Sequence, residues 1–173
     1  MNLIQEDNDT LKRYGLNTND FYFCIGSRSP NKNIKWVIKL AQAMQNDIFV
    51  VAGANEKIFS SENIDNHAKN VRFIGYTTDE ETKALMSNCK AFLFPSIYEG
   101  FGMPPLEAMG SGCTSVYVSD IQVMHEIYSN FVSYIDLHVC SLPSVNASTG
   151  NIALLEKYSW KSSAKILLDC FHE

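Results

Sequence analysis

The chain has 173 residues, of which 46% are hydrophobic and 19% charged, and its formal net charge is −5. This is the profile of one globular domain with a sizeable core, and it excludes a disordered or fibrous chain. Lys and Arg form no basic run, so a nucleic-acid partner is not expected.

The cysteines and the hydrophobic runs bear on the compartment. Five cysteines, an odd number without any C-x-x-C pair, favour a reducing compartment with no disulfide and no zinc site. No run approaches the ~20 apolar residues of a membrane span. Residues 1–10 are polar and acidic, unlike a signal peptide.

Short apolar runs alternate with helical patterns along the chain. The runs predicted as strands are 21–26, 47–53, 71–75, 91–95, 115–119 and 131–135. Helical spacing, a capping box at Thr78–Glu81 and the Pro104-Pro105 pair predict helices at 34–44, 78–89, 104–111, 122–129 and 159–171, with a short one near 11–14.

This alternation predicts the fold class. Continuously apolar strands separated by helices imply a parallel sheet covered on both faces. We therefore expect an α/β, doubly wound, Rossmann-like sheet of about six strands. Residues 1–20 are interpreted as a lead-in or interdomain segment, 21–173 as the domain, and 141–150 as a polar loop.

In such a sheet, ligands bind beyond the carboxyl ends of the strands, and the loop 26–33 lies at one of these ends. Gly26 permits a tight backbone there, while Arg28 and Lys32 bring positive charge to a helix N-terminus. That combination suits a diphosphate. A solvated turn carrying two surface cations is the alternative, and the loop alone favours it because no dinucleotide or Walker pattern is present.

A second loop, PSIYEGFGMPPLEAM at 95–109, runs from a strand end through two glycines into a helix. Gly100 and Gly102 let backbone N–H groups approach a ligand. Glu99 lies in the loop and Glu107 in the first or second helical turn. A carboxylate there can bind the two hydroxyls of a ribose. Equally, Glu107 can complement the helix dipole and Glu99 can be an ordinary loop anion.

The Glu99-x7-Glu107 spacing inside this segment resembles the signature of the glycosyl transferases group 1 family of retaining GT-B enzymes. GSRSPNKN is similar to the family's Gly-Arg-x-x-x-x-Lys phosphate loop, VAGA and VRFIGYTTDEE to its next strand ends, and YSW to its closing helix. The resemblance covers residues 21–173. It implies the C-terminal, nucleotide-sugar-binding half of a GT-B fold.

The resemblance also implies roles for particular residues. Lys32 would contact the donor diphosphate, Glu107 the ribose hydroxyls, and Glu99 the transferred sugar as the catalytic candidate. The remaining donor-binding positions would be Gly26 and Arg28 in the phosphate loop, Gly75 and Tyr76 near the base, and Gly100, Phe101, Gly102 and Met103 at the sugar and phosphate. No metal and no cofactor besides a UDP- or GDP-linked donor sugar is implied.

Some positions depart from the family pattern. Ser27 stands where the family has its Arg, with Arg28 one residue later, and the loop 112–116 lacks the family's proline. Glu126 matches a family glutamate, but a helix-surface charge explains it at least as well. His125 has no partner close in sequence and is expected to be structural or exposed.

The function that the resemblance implies is donor binding in a retaining glycosyltransferase, which transfers a sugar from a nucleoside-diphosphate sugar to a glycan or lipid-glycan. The acceptor would bind a missing N-terminal domain, so the isolated chain is expected to be inactive. A non-catalytic nucleotide-binding or assembly module is the alternative; a receiver domain is discounted because its early acidic cluster is absent. A cytoplasmic location is expected, with the full enzyme peripheral to the inner membrane face as the alternative.

Overall fold

The computed structural model describes residues 3–26, 29–53, 68–144 and 152–171. Its six strands form one parallel sheet in the order β3-β2-β1-β4-β5-β6. The strands are β1 Phe21–Ile25, β2 Ile48–Ala52, β3 Val71–Gly75, β4 Ala91–Phe94, β5 Val116–Ser119 and β6 Ser133–Ile135. The predicted doubly wound, Rossmann-like sheet is confirmed, and each strand lies within a predicted run.

Seven α-helices lie in the described ranges, and none of them is long and apolar enough to cross a membrane. They are α1 Leu3–Tyr14, α2 Ile34–Ala43, α3 Asp79–Asn88, α4 Met103–Gly110, α5 Gln122–Tyr128, α6 Ile152–Lys157 and α7 Trp160–Cys170. Helix α1 is longer than predicted. Helix α6 was not predicted, because six residues are too few for a helical repeat to stand out.

The predicted capping box opens α3. The Thr78 hydroxyl accepts from the Glu81 N–H at 3.2 Å, and the Glu81 carboxylate accepts from the Thr78 N–H at 2.9 Å. Arg13 of α1 pairs with the same carboxylate, and Leu11 and Leu16 are buried in the core. The predicted lead-in segment therefore packs against the sheet domain through α3.

Two hydrophobic clusters cover the two faces of the sheet, because successive strand residues point to opposite sides. Phe23 and Phe92 belong to the cluster that also takes residues of α1, α3, α4 and α5. Tyr22 and Leu93 belong to the cluster that α2 covers. Strands buried on both faces have no polar side to show, which explains their continuous apolar runs.

The strand order reverses between β1 and β4, which are parallel neighbours although they are far apart in sequence. Connections diverge to opposite sides at such a point, and a crevice forms beyond the carboxyl ends of the two strands. The loops that follow β1 and β4 are the two loops predicted to carry the site. The topology places them side by side.

Candidate functional site

Contacts between described residues join the loop after β1 to the loop after β4. The Ile97 N–H donates to the Asn31 carbonyl at 2.7 Å, and the Asn31 side-chain amide donates to the Tyr98 carbonyl at 3.3 Å. Lys32 Nζ lies 2.5 Å from Glu99 Oε1. The predicted diphosphate residue and the predicted sugar residue are thus in direct contact.

Lys32 is held in place by its surroundings. It ends a 3₁₀ turn, Pro30–Lys32, in which Pro30 fixes the backbone. Its ammonium group lies 5.0 Å from the centre of the Phe94 ring, a cation–π distance. The Lys32 and Glu99 side chains are 21% and 13% exposed, so water screens the pair less than it screens an ordinary surface pair.

Gly102 marks the start of α4 and is packed from the core side. Its φ of +87° suits glycine, and a Cβ built there would lie 2.6 Å from Met124 Cε. The Tyr128 hydroxyl donates to the Gly102 carbonyl. Burial raises the pKa of this phenol above its usual value, and the charges of Glu107 and Glu99 act in the same direction. Tyr128 therefore stays a neutral donor that holds the loop end.

Glu107 is exposed and is the fifth residue of α4, because the helix begins at Met103. Its carboxylate has no hydrogen bond or ion pair with another residue of the described ranges. A helix dipole acts mainly on the first turn. The position therefore weakens the interpretation of Glu107 as a charge that complements the dipole.

The carboxyl ends of β1, β2 and β3 are tied together by backbone hydrogen bonds. The Gly26 N–H donates to Ala52 at 3.0 Å, and the Gly53 N–H donates to Gly75 at 2.6 Å. A Cβ on Gly26 would lie 2.2 Å from Ile34 Cδ1, so glycine lets the strand end meet α2 closely. Tyr76 follows Gly75 at the same edge of the sheet and is 86% exposed.

Some of the remaining residues in the loop after β4 are exposed to solvent, and others pack against the protein. Gly100 is exposed, and no heavy atom lies within 4 Å of a Cβ built on it. Met103 is exposed at the first position of α4. The Phe101 ring instead packs edge-on against Tyr158, with ring centres 5.2 Å apart. Only the backbone of Phe101 is left for the predicted ligand contact.

A cavity of about 270 Å³ lies on another side of Glu99. Glu99, Gln122 and Glu126 are among the residues that line it, so Glu126 shares a cavity with the predicted sugar residue. His125 is exposed as predicted, but it does have a partner: its Nε2 lies 2.5 Å from Asp120 Oδ1. The loop before α5 bends back and brings this aspartate, five residues earlier, onto the imidazole.

Sequence reasoning missed the residues that support the site. Asn31 joins the loops, Phe94 lies under Lys32, and Tyr128 holds Gly102. Two buried side-chain atoms among the described residues, Asn31 Oδ1 and Ser96 Oγ, have no hydrogen-bond partner. Asn31 precedes Lys32 directly, which is the one signal in the sequence that could have found it.

Two further predictions concern residues and ligands at the edge of the site. Arg28 lies outside the described residues, so its contribution to the phosphate loop stays a prediction. Within the ranges that the structure describes, no three His, Cys, Asp or Glu side chains cluster as metal ligands would.

A doubly wound parallel sheet, with its crevice at the β1–β4 switch point, defines a Rossmann-like α/β domain. The family model of the glycosyl transferases group 1 matches residues 7–166, and the chain belongs to this family.

Individual relatives agree with the family. The O-antigen chain mannosyltransferase RfbU of Salmonella typhimurium is 35% identical over 122 residues, which are 68% of this chain and 34% of that protein. The O-antigen chain mannosyltransferase B of Escherichia coli is 25% identical over 174 residues, covering 88% of this chain and 45% of that protein. The chain thus spans less than half the length of either relative.

A solved structure shows the same fold. WaaG, a glycosyltransferase involved in lipopolysaccharide biosynthesis, superposes with a TM-score of 0.57 at 20% identity, over 75% of this chain and 37% of that chain. The sheet domain described above therefore has the fold of about a third of that longer chain. The predicted family and fold are both confirmed.

Proposed function

We propose that this chain is the donor-binding domain of a retaining glycosyltransferase, and that its crevice binds a nucleoside-diphosphate sugar. The observation that carries the proposal is the Lys32–Glu99 contact at the β1–β4 switch point. It brings a cation suited to a diphosphate and a carboxylate suited to sugar hydroxyls to one place, where doubly wound sheets bind their ligands.

Lys32 is the proposed diphosphate ligand. The N-terminus of α4 offers fewer donors than most helices, since Pro104 and Pro105 have no N–H group. Helix-dipole binding of an anion is correspondingly weaker there, and a cation beside the loop becomes more important. Lys32 would stabilise the negative charge that develops on the departing nucleoside diphosphate.

Glu107 is the proposed ribose ligand and Tyr76 the proposed neighbour of the base. An exposed carboxylate with both oxygens available can accept from two vicinal hydroxyls. Tyr76 presents an exposed ring beyond β3, on the other side of β1 from the Glu99 loop. Base, ribose and diphosphate would then lie along the carboxyl edge of the sheet.

We propose mannose as the donor sugar and a bacterial glycan or lipid-glycan as the acceptor, because two relatives bear the name O-antigen chain mannosyltransferase. The acceptor would bind the part of those longer proteins that this chain does not match. GDP- and UDP-linked sugars are both candidates for the donor. Transfer would retain the anomeric configuration, with Glu99 facing the sugar.

A titration with nucleoside diphosphates tests the proposal directly. Half a cleft binds weakly, so GDP or UDP at millimolar concentration should raise the melting temperature through mass action. NMR signals of Gly100 to Glu107 should shift in the same titration. If neither diphosphate moves the melting temperature or those signals, this crevice is not a nucleotide site.

Glu107→Gln distinguishes the ribose from the dipole interpretation. Ribose binding predicts an affinity loss of about 1–3 kcal/mol with almost unchanged stability, because charge-assisted bonds to two hydroxyls become neutral ones. A dipole role predicts a stability loss of ~0.3–1 kcal/mol and unchanged affinity.

The control is the 2′,3′-dideoxy form of whichever diphosphate binds, and the measurement is calorimetric titration of both proteins with both ligands. The mutation should cost the dideoxy ligand much less than the natural one. Equal losses of affinity for both ligands would show that Glu107 does not bind the ribose hydroxyls.

A further inference from the structure

In the free protein, two residues of the proposed donor site form an ion pair with each other. Lys32 Nζ and Glu99 Oε1 are 2.5 Å apart, and both side chains are largely covered. Each charge has the other as its partner. An arriving ligand must therefore replace that partner for one residue or for both.

A diphosphate alone can replace the partner of Lys32 but not that of Glu99. The inference rests on the proposed function, in which the phosphates take Lys32. The phosphates would then approach the carboxylate that had been paired with Lys32, and like charges repel. Glu99 would lose its cation in a partly buried place, where an unpaired charge is unfavourable.

Glu99 has no other cation to turn to in the neighbouring cavity. The residues that line this cavity include no Lys or Arg, and its other polar side chains are Tyr98, Gln122 and the acidic Glu126. Sugar hydroxyls are donors that such a carboxylate can accept from. A ligand that carries both a diphosphate and a sugar satisfies both members of the pair at once.

We propose that the Lys32–Glu99 pair makes Glu99 a specificity-determining residue, which disfavours a bare nucleoside diphosphate and thereby favours the sugar nucleotide over the product that remains after transfer. The diphosphate displaces the Glu99 carboxylate from Lys32, and the sugar hydroxyls then donate hydrogen bonds to that carboxylate. Without the sugar, the displaced carboxylate has no cation to pair with among the residues of this cavity, and its charge opposes binding.

The loop itself does not depend on this pair. Asn31 holds the backbone of Ile97 and Tyr98 through bonds of 2.7 and 3.3 Å, and Tyr128 holds Gly102 further along. Glu99→Gln is therefore expected to leave the loop in place. A purely structural role of Glu99 would instead predict weaker binding of every ligand in this variant.

The test measures GDP and GDP-mannose, and UDP and UDP-glucose as a second pair, by calorimetric titration of the 173-residue wild type and Glu99→Gln. Glu99→Gln should bind the diphosphate about fivefold more tightly, which corresponds to the upper end of the range of an exposed ion pair. The affinity of the variant for the matching sugar nucleotide should rise less than this, or fall, relative to the wild type. The ratio of the two affinities therefore falls.

Asp47→Asn is the matched control, because it makes the same chemical change in the Lys90–Asp47 pair, whose atoms are 2.7 Å apart. It should leave all affinities unchanged. Glu99→Asp, which keeps the charge but withdraws it from Lys32, should show the same trend more weakly and serves if Glu99→Gln unfolds.

The outcomes separate the two proposals. Wild type that binds neither diphosphate contradicts the proposed function itself. Wild type that binds, with a Glu99→Gln variant that binds the diphosphate no better, overturns the specificity role alone. Equal tightening of diphosphate and sugar nucleotide would likewise overturn it, since the carboxylate would then make no contact with the sugar.

Discussion

The two edges of the sheet carry nearly the same arrangement of charges. At the carboxyl edge, Lys32 pairs with Glu99 at 2.5 Å and lies 5.0 Å from the Phe94 ring. At the amino edge, Lys90 pairs with Asp47 at 2.7 Å and lies 5.0 Å from the Tyr22 ring. Lysine, carboxylate and aromatic ring recur with almost equal distances.

The surroundings of the two pairs differ. Lys90 and Asp47 directly precede β4 and β2, the two strands that flank β1, and are more exposed, at 47% and 25%. Lys32 and Glu99 lie in loops at the switch point, beside buried polar atoms that have no partner. The same pair is thus a surface contact at one edge and part of a crevice at the other, and the position in the fold decides which.

The largest effect is expected from glycines at the two edges. Gly102→Ala should lower the free energy of unfolding by about 2–4 kcal/mol, from left-handed backbone strain and from crowding in a packed core. Gly15→Ala has a similar φ of +61°, but its nearest neighbour is 3.8 Å away, against 2.6 Å at Gly102. It should cost only the strain, about 1–2 kcal/mol.

Urea unfolding of wild type and both variants measures this difference. The comparison isolates packing, because both glycines have a left-handed backbone. Equal losses in the two variants would mean that Met124 moves aside without cost and that the carboxyl edge is no more tightly packed than the amino edge.

The next effect concerns ligand affinity. Lys32→Ala should weaken binding of GDP or UDP by about tenfold or more, since a hydrogen bond to a charged group contributes roughly 1.5–3 kcal/mol. The corresponding nucleoside, which has no phosphate, should be affected much less. Lys90→Ala removes an equivalent lysine from the other edge and should change neither affinity.

Calorimetric titration of both variants with diphosphate and nucleoside checks this prediction. A loss in Lys90→Ala as large as that in Lys32→Ala would show that overall charge, not a site at the switch point, attracts the ligand. Equal losses for diphosphate and nucleoside in Lys32→Ala would remove Lys32 from the phosphate site.

The smallest effect is expected at the amino edge. Asp47→Asn should lower the free energy of unfolding by ~0.2–1 kcal/mol, the range of exposed ion pairs. The hydrogen bond that Lys90 donates to the Asp47 carboxylate raises the pKa of Lys90. The pair therefore stabilises the fold fully below the unfolded-state pKa of about 10.4, and this contribution is lost as pH rises through the higher folded-state pKa.

Urea unfolding at pH 7 and at pH 11 measures the pH dependence in wild type and variant. The difference between the two proteins should shrink at the higher pH, where Lys90 begins to lose its proton. A difference that stays constant would assign the effect of Asp47→Asn to something other than this pair.

The strands were predictable because each is buried on both faces. Phe21–Ile25 and Ala91–Phe94 read as uninterrupted apolar segments, and helical spacing or a capping box marked the helices between them. Helix α1 was underestimated because residues 5–10 form a polar run without an apolar helical repeat, and the helix is anchored by tertiary contacts, such as those of the buried Leu11. Contacts between distant elements leave no local pattern in the sequence.

The same limit applies to the site. The family motif identified Lys32, Glu99 and Glu107 as candidates, and the position of Gly102 at the start of a helix followed from the prolines. The Lys32–Glu99 pairing was not predictable, since it joins residues 67 positions apart across the switch point. Neither was Tyr128, whose hydroxyl reaches back 26 positions to Gly102.

Helix α7 has no buried residue, and Trp160, Leu167 and Phe171 are exposed. An isolated helix of this length is only marginally stable in water, and packing against the sheet stabilises α7 little. Its amide protons should therefore exchange with solvent at the rate of local opening, well before those of β1 or β4. The cooperative unit that a calorimeter detects is then the sheet with its packed helices, and α7 contributes almost nothing to the heat-capacity increment of unfolding.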